Sequence, residues 1–157
     1  MRFIKFSPRF SAAIWSGLAM LAVVSIPSAP GGTQPVALRC ENLPNPLGIA
    51  ELQPRFSWEM QSTRRADRQT AWEIVVASSP DLLAQGTGDL WDSGKVSGED
   101  TTGLEYGGPA LRSNEHCWWK VRLWDRDGNP SDWSLPASWS MGLLQPGDWK
   151  SEWIGYD

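Results

Sequence analysis

His116 to Trp139 reads HCWWKVRLWDRDGNPSDWSLPASW and holds five of the chain's eleven tryptophans. Apolar and polar residues alternate on both sides of a turn-rich spacer, DRDGNPSD (Asp125 to Asp132). Strict alternation describes a strand with one face in a core and the other toward water. Asp, Gly, Asn, Pro and Ser each tolerate or pre-set turn dihedrals, so the spacer joins two antiparallel strands into a β-hairpin. On the first of these strands Trp119, Val121 and Leu123 point one way, and Trp118, Lys120, Arg122 and Trp124 the other.

The same alternation recurs upstream. Val36 to Glu41 (VALRCE), Pro54 to Met60 (PRFSWEM) and Thr70 to Ser78 (TAWEIVVAS) read as strands. The second puts Phe56 and Trp58 on one face; the third aligns Trp72, Ile74 and Val76. Leu90 to Val96 (LWDSGKV) is a short, edge-like strand broken at Ser93-Gly94, and Leu104 to Tyr106 is another. Ser79 and Pro80 are good helix-start residues, but Gly86 ends that segment after a single helical turn. Seven short strands at even spacing in about 110 residues describe an all-β sandwich. Its core draws on Trp58, Trp72, Ile74, Val76, Leu111, Trp119, Val121 and Leu123, enough aromatic volume for a domain of this size.

The first 30 residues differ. Arg2, Lys5 and Arg9 precede a charge-free run from Phe10 to Ile26, and Pro27, Pro30, Gly31, Gly32 and Pro35 then break the pattern. This is the signature of a signal peptide over 1–30, cut at Ala29 or nearer Ser25. It predicts export to the periplasm or the medium. The alternative is an uncleaved leader anchoring the chain in the inner membrane, though the run is at the short limit for a span. Removing the leader takes away three positive charges and no negative ones, leaving 11 Lys and Arg against 18 Asp and Glu. An acidic body without a basic stripe excludes nucleic acid and anionic lipid as partners, apart from the leader's own contact with a membrane.

Chemistry-bearing groups are few. Glu99 with Asp100, and Asp125 with Asp127, are the close acidic pairs, and both lie in turns where solvated acids are ordinary. DRDGN (Asp125 to Asn129) lacks the spacing of a calcium loop: its glycine comes fourth, and residue 136 is proline where a glutamate would be needed. Two cysteines, Cys40 and Cys117, and one histidine, His116, cannot close a zinc site. In an oxidising compartment the cysteines could pair, or remain two buried free thiols. No catalytic residue, metal ligand or cofactor is expected. The outward tryptophans are left to account for. Trp118 and Trp124, with Trp133 or Trp139 from the next strand, could form a platform for sugar rings, a cation–π ladder with Lys120 and Arg122, or a face packed on a neighbouring domain.

With these strands in place, the chain resembles a fibronectin type III (immunoglobulin-like) domain. Leu111 and Trp119 stand where that fold has a leucine and its corner tyrosine, so the corner hydrogen bond is either lost or made by the indole N–H. More specifically, the chain resembles the N-terminal module of bacterial α-L-rhamnosidases of the inverting, α/α-barrel type. The resemblance rests on NPLGI (Asn45 to Ile49), PRFSW (Pro54 to Trp58), RQTAWEIVVASS (Arg68 to Ser79) and LWDSGKV. CWWKVRLWDRDGNPSDWS (Cys117 to Ser134) and DWKSEWIG (Asp148 to Gly155) complete it. Trp72 departs from it, standing where a tyrosine is expected.

The resemblance implies a non-catalytic sandwich over 36–144, then a linker over 145–157 into an absent downstream domain. That domain would hold the carboxylates that remove terminal α-L-rhamnose. The chain alone is then no enzyme but a truncated or partial one. Its partners would be the later domains of the same enzyme, and rhamnose-containing glycans if the tryptophans bind sugar. A stand-alone exported carbohydrate-binding module is the alternative.

Overall fold

The computed structural model describes residues 32–150. The predicted signal peptide and the end of the predicted linker lie outside them. Two antiparallel sheets face each other. The smaller has the order β1-β2-β6, from Gln34–Cys40 (β1), Arg55–Gln61 (β2) and Leu104–Glu105 (β6). The larger runs β4-β3-β7-β8, from Trp91–Asp92 (β4), Ala71–Ala77 (β3), His116–Trp124 (β7) and Ala137–Ser140 (β8). Val96–Ser97 (β5) also pairs with β3. The eighth strand arises because LWDSGKV divides at Ser93-Gly94: β4 pairs with Val75 and Val76, and β5 with Ala71 and Trp72, on one edge. One short helix, Pro80–Ala84 (α1), is capped by the Ser79 hydroxyl, which accepts from the Leu82 amide.

Every residue assigned to the core from alternation is buried. Trp58, Trp72, Ile74, Val76, Leu111, Trp119, Val121 and Leu123 join Cys40, Phe56, Tyr106, Cys117, Trp139 and Met141 in one cluster between the sheets. Phe56 is its hub, with ring centroids 4.5 Å from Trp119 and 5.3 Å from Trp139. Trp58 donates its indole N–H to Gln69 Oε1 at 3.0 Å, and Gln69 donates in turn to the carbonyls of Gly98 and Asp100. A buried amide is thus satisfied on both sides, as burial requires.

β3 is buried along its whole length, which its sequence pattern does not announce. Ile74 and Val76 face the sandwich core. Val75 and Ala77 face the other way, yet α1 folds over them, so Leu83 closes a second small cluster with Trp118 and Trp133 at its margin. A strand covered on both faces loses its polar phase.

The β7–β8 hairpin forms as predicted, but its register drifts. Trp119 opposes Ala137 and Trp118 opposes Ser138. Beyond them the returning chain meets Val121 at Ser134 and Leu123 at Ser131, one residue out of step each time. At both positions a serine does two jobs. Its amide donates to the β7 carbonyl, and its Oγ accepts from the β7 amide at 3.1 Å. Ser93 repeats the device on the opposite edge. In the gap between β4 and β5 its amide donates to Ile74 O and its Oγ accepts from Ile74 N at 2.8 Å. The hydroxyls take the place of carbonyls that a bulged strand turns away, so the central amides stay paired.

Candidate functional site

The feature with the most organised chemistry is the outer face of the large sheet. Arg122 on β7 stands directly opposite Glu73 on β3. Its Nε and Nη2 reach Glu73 Oε2 at 2.7 and 2.6 Å. That grip fixes the guanidinium, and two indoles lie against it: the Arg122 Cζ is 5.1 Å from the Trp124 ring and 4.7 Å from the Trp133 ring. Lys120 Nζ lies 4.9 Å over Trp133, and Lys95 Nζ lies 4.5 Å over Trp124. Lys120, Trp133, Arg122, Trp124 and Lys95 therefore alternate as cation, ring, cation, ring, cation. Each contact is worth about 0.5–2 kcal/mol depending on its desolvation.

Burial lowers the Lys120 ammonium from its ordinary value, with Arg122 adding repulsion. The ammonium also donates to the Leu83 carbonyl at 2.7 Å, which secures the last turn of α1 to the sheet. Trp118 stacks at 6.0 Å on His116 and leans on the cluster beneath α1. A shallow apolar hollow of about 240 Å³, lined by Pro80, Leu83, Ala84, Lys120, Trp133 and Pro136, lies beside it.

One of the sequence expectations needs correction. Trp139 does not join Trp118, Trp124 and Trp133 on the outer face. It is only 1% exposed and packs edge-on to Phe56 and Tyr106. The register drift moves it to the inner phase, opposite Cys117. Of the two outcomes expected for the corner bond, it is the loss that occurs: the Trp119 indole N–H is buried without a hydrogen-bond acceptor. The hydroxyl that ties strand to loop belongs to Tyr106 instead, which donates to Leu90 O at 3.2 Å. Lys95 is the ladder residue that sequence alone does not reveal. It comes just after the Ser93-Gly94 break, and only the folding of that edge brings it over Trp124.

Cys40 and Cys117 are free and buried in the main core. Desolvation pushes both thiols up to about 12. Asp125 and Asp127 share one guanidinium, with Arg64 Nη1 at 2.9 Å from the first and Nη2 at 2.5 Å from the second. Asp125 Oδ1 also accepts from the amides of Asp127 and Asn129, which closes the turn. Glu99 pairs with Arg68 on the surface at 3.4 Å. Asp125 and Asp127 are thus engaged in turn architecture, and Glu99 in an exposed ion pair. Among the described residues no cluster of His, Cys, Asp and Glu is arranged to hold a metal ion, and no helix is long and apolar enough to cross a membrane.

Residues 35–145 match the family of the Rha78A-like N-terminal immunoglobulin domain. An α-L-rhamnosidase of Formosa agariphila is 43% identical over 115 residues, covering 73% of this chain and 12% of the relative. One of Streptomyces avermitilis is 41% identical over 114 residues, covering 73% and 11%. The crystal structure of the Streptomyces avermitilis α-L-rhamnosidase complexed with L-rhamnose superposes with a TM-score of 0.76 at 37% identity, covering 80% of this chain and 12% of that one. The α-L-rhamnosidase of Dictyoglumus thermophilum gives 0.75 at 34%, covering 79% and 14%. The chain spans about an eighth of the length of these proteins. It belongs to the Rha78A-like N-terminal immunoglobulin-domain family.

Proposed function

We propose that this chain is the leading, non-catalytic module of an exported α-L-rhamnosidase, an enzyme that removes terminal α-L-rhamnose from glycosides. The observation that carries this is the confinement of the matches described above to one small domain of proteins named α-L-rhamnosidase. The module's own task is mechanical. It supplies a rigid sandwich against which later domains of the same polypeptide are placed.

The ladder favours this over sugar binding. A stacking platform needs indole faces open to a sugar ring. Here Trp133 and Trp124 are each approached by two cations, and Trp124 is itself buried. The stand-alone carbohydrate-binding module therefore ranks second, with the hollow beside Trp133 as its candidate seat.

The test compares the 157-residue chain with the polypeptide extended through the codons beyond Asp157. Release of the aryl group from an aryl α-L-rhamnoside should occur with the extended protein and not with the short chain. The short chain should also migrate unretarded through a gel loaded with rhamnose-containing polysaccharide. Retardation abolished by Trp133→Ala would replace the mechanical role with a binding one.

A further inference from the structure

We infer that the end of the sandwich from which the chain leaves β8 is the surface that packs against the next domain of the same polypeptide. This rests on the reading of the chain as the first module of a longer enzyme.

The two ends of the sandwich differ in chemistry. At the end holding Thr33, the β2–β3 connection and the 125–130 turn, the contacts are polar. Thr33 and Ser62 donate to Asp67, and Arg64 bridges Asp125 and Asp127. At the other end lie the β1–β2 loop, the 111–115 turn and the exit from β8. Among the described residues, the large apolar side chains left exposed are Leu43, Leu47, Leu52, Leu135, Leu143 and Trp149. All but Leu135 belong to this second end.

The backbone holds them together. Pro46 O accepts from Ser140 N, Ile49 N donates to Ser140 O, and Gly142 N donates to Ile49 O, so the loop bearing Leu47 runs beside the segment leading to Leu143. Gly142 permits this approach, since a Cβ there would lie 2.9 Å from Gly48 O. The exit is also fastened. Leu144 N donates to Ser113 Oγ at 2.9 Å, Ser113 Oγ donates to Asp148 Oδ2, and Gln145 N donates to the same carboxylate at 3.0 Å. A 3₁₀ turn, Pro146–Asp148, then delivers Trp149 with 63% of its surface exposed. A chain meant to swing freely would not be tied to the domain through its last described turn. Apolar surface concentrated around a fixed exit is the signature of an interface with the next domain. The relatives supply the occupant's size: about seven-eighths of their length lies outside the matched module.

Hydrogen exchange on the 157-residue chain and on the extended polypeptide tests the assignment. Amides from Leu43 to Gln53 and from Leu143 to Trp149 should exchange about tenfold or more slowly in the extended protein, while those of Trp118 to Arg122 stay unchanged. Leu47→Glu with Leu143→Glu should return fast exchange to the extended protein. Both side chains are exposed, so the urea midpoint of the short chain should not move. Protection on the ladder face, protection nowhere, or self-association of the short chain through Leu47 and Leu143 with no change on extension overturns the inference. An extended protein without rhamnosidase activity, but with protection at this end, would overturn the proposed function and leave the docking surface standing. A stop codon directly after Asp157 would overturn both.

Discussion

Glu73 and Arg122 face each other across the central strand pair and meet through two short bonds to one carboxylate oxygen, while two indoles pack on the guanidinium. Removing the arginine leaves a largely buried carboxylate unpaired and uncouples Trp124 from Trp133. Arg122→Ala should cost about 2–4 kcal/mol in urea unfolding. Arg122→Lys, which keeps the charge and loses the planar fork, should cost about half as much. A loss below ~0.5 kcal/mol for the alanine variant would show that the ladder contributes nothing to stability.

The serines that stand in for carbonyls give a sharper test. Ser134→Ala leaves the Val121 amide without its acceptor, and Ser93→Ala does the same to Ile74. Each should cost about 1–3 kcal/mol, since an unsatisfied central amide bears its full desolvation penalty. Exchange of those two amides, tracked by NMR, should accelerate more than exchange of their neighbours; uniform acceleration would refute the local account.

Burial holds both thiols near 12, far above working pH. Cys40 and Cys117 should therefore resist a maleimide at about pH 8 in the folded protein, and both should react once guanidinium unfolds it. Rapid labelling of either under native conditions would contradict the packing described.

Asp67 titrates well below the ordinary carboxylate range because the hydroxyls of Thr33 and Ser62 donate to it. A depressed folded value means that these bonds stabilise the fold above the unfolded-state value near about 4. That contribution fades as pH drops through the lower folded value. Asp67→Asn should flatten stability against pH below about 4, with little change in slope above it. An unchanged acid limb in thermal melts would remove Asp67 from the account.

Most of the sandwich is legible in the sequence because alternation is a local signal, and Trp119, Val121 and Leu123 need no knowledge of their partners to take one phase. The signal fails where a residue's side is decided by another segment. Trp139 would face outward only if the hairpin returned in step, and Ser131 and Ser134 show that it does not. Val75 and Ala77 are buried by α1, which contributes only five residues and little pattern of its own. On the outer face, the arginine and its two flanking indoles can be read from the hairpin. Lys95 and Glu73 cannot, because their roles depend on which strands become neighbours.

Residues 33 and 141 lie at opposite ends of the sandwich, a strand's length apart. At about 3.3 Å per residue, the seven residues of β1 set that separation at about 20 Å. The end where β1 begins is therefore held a strand's length away from the apolar surface gathered around the exit from β8. A load applied between residues 32 and 150 is carried along the strands, where many backbone hydrogen bonds must shear together before any one yields.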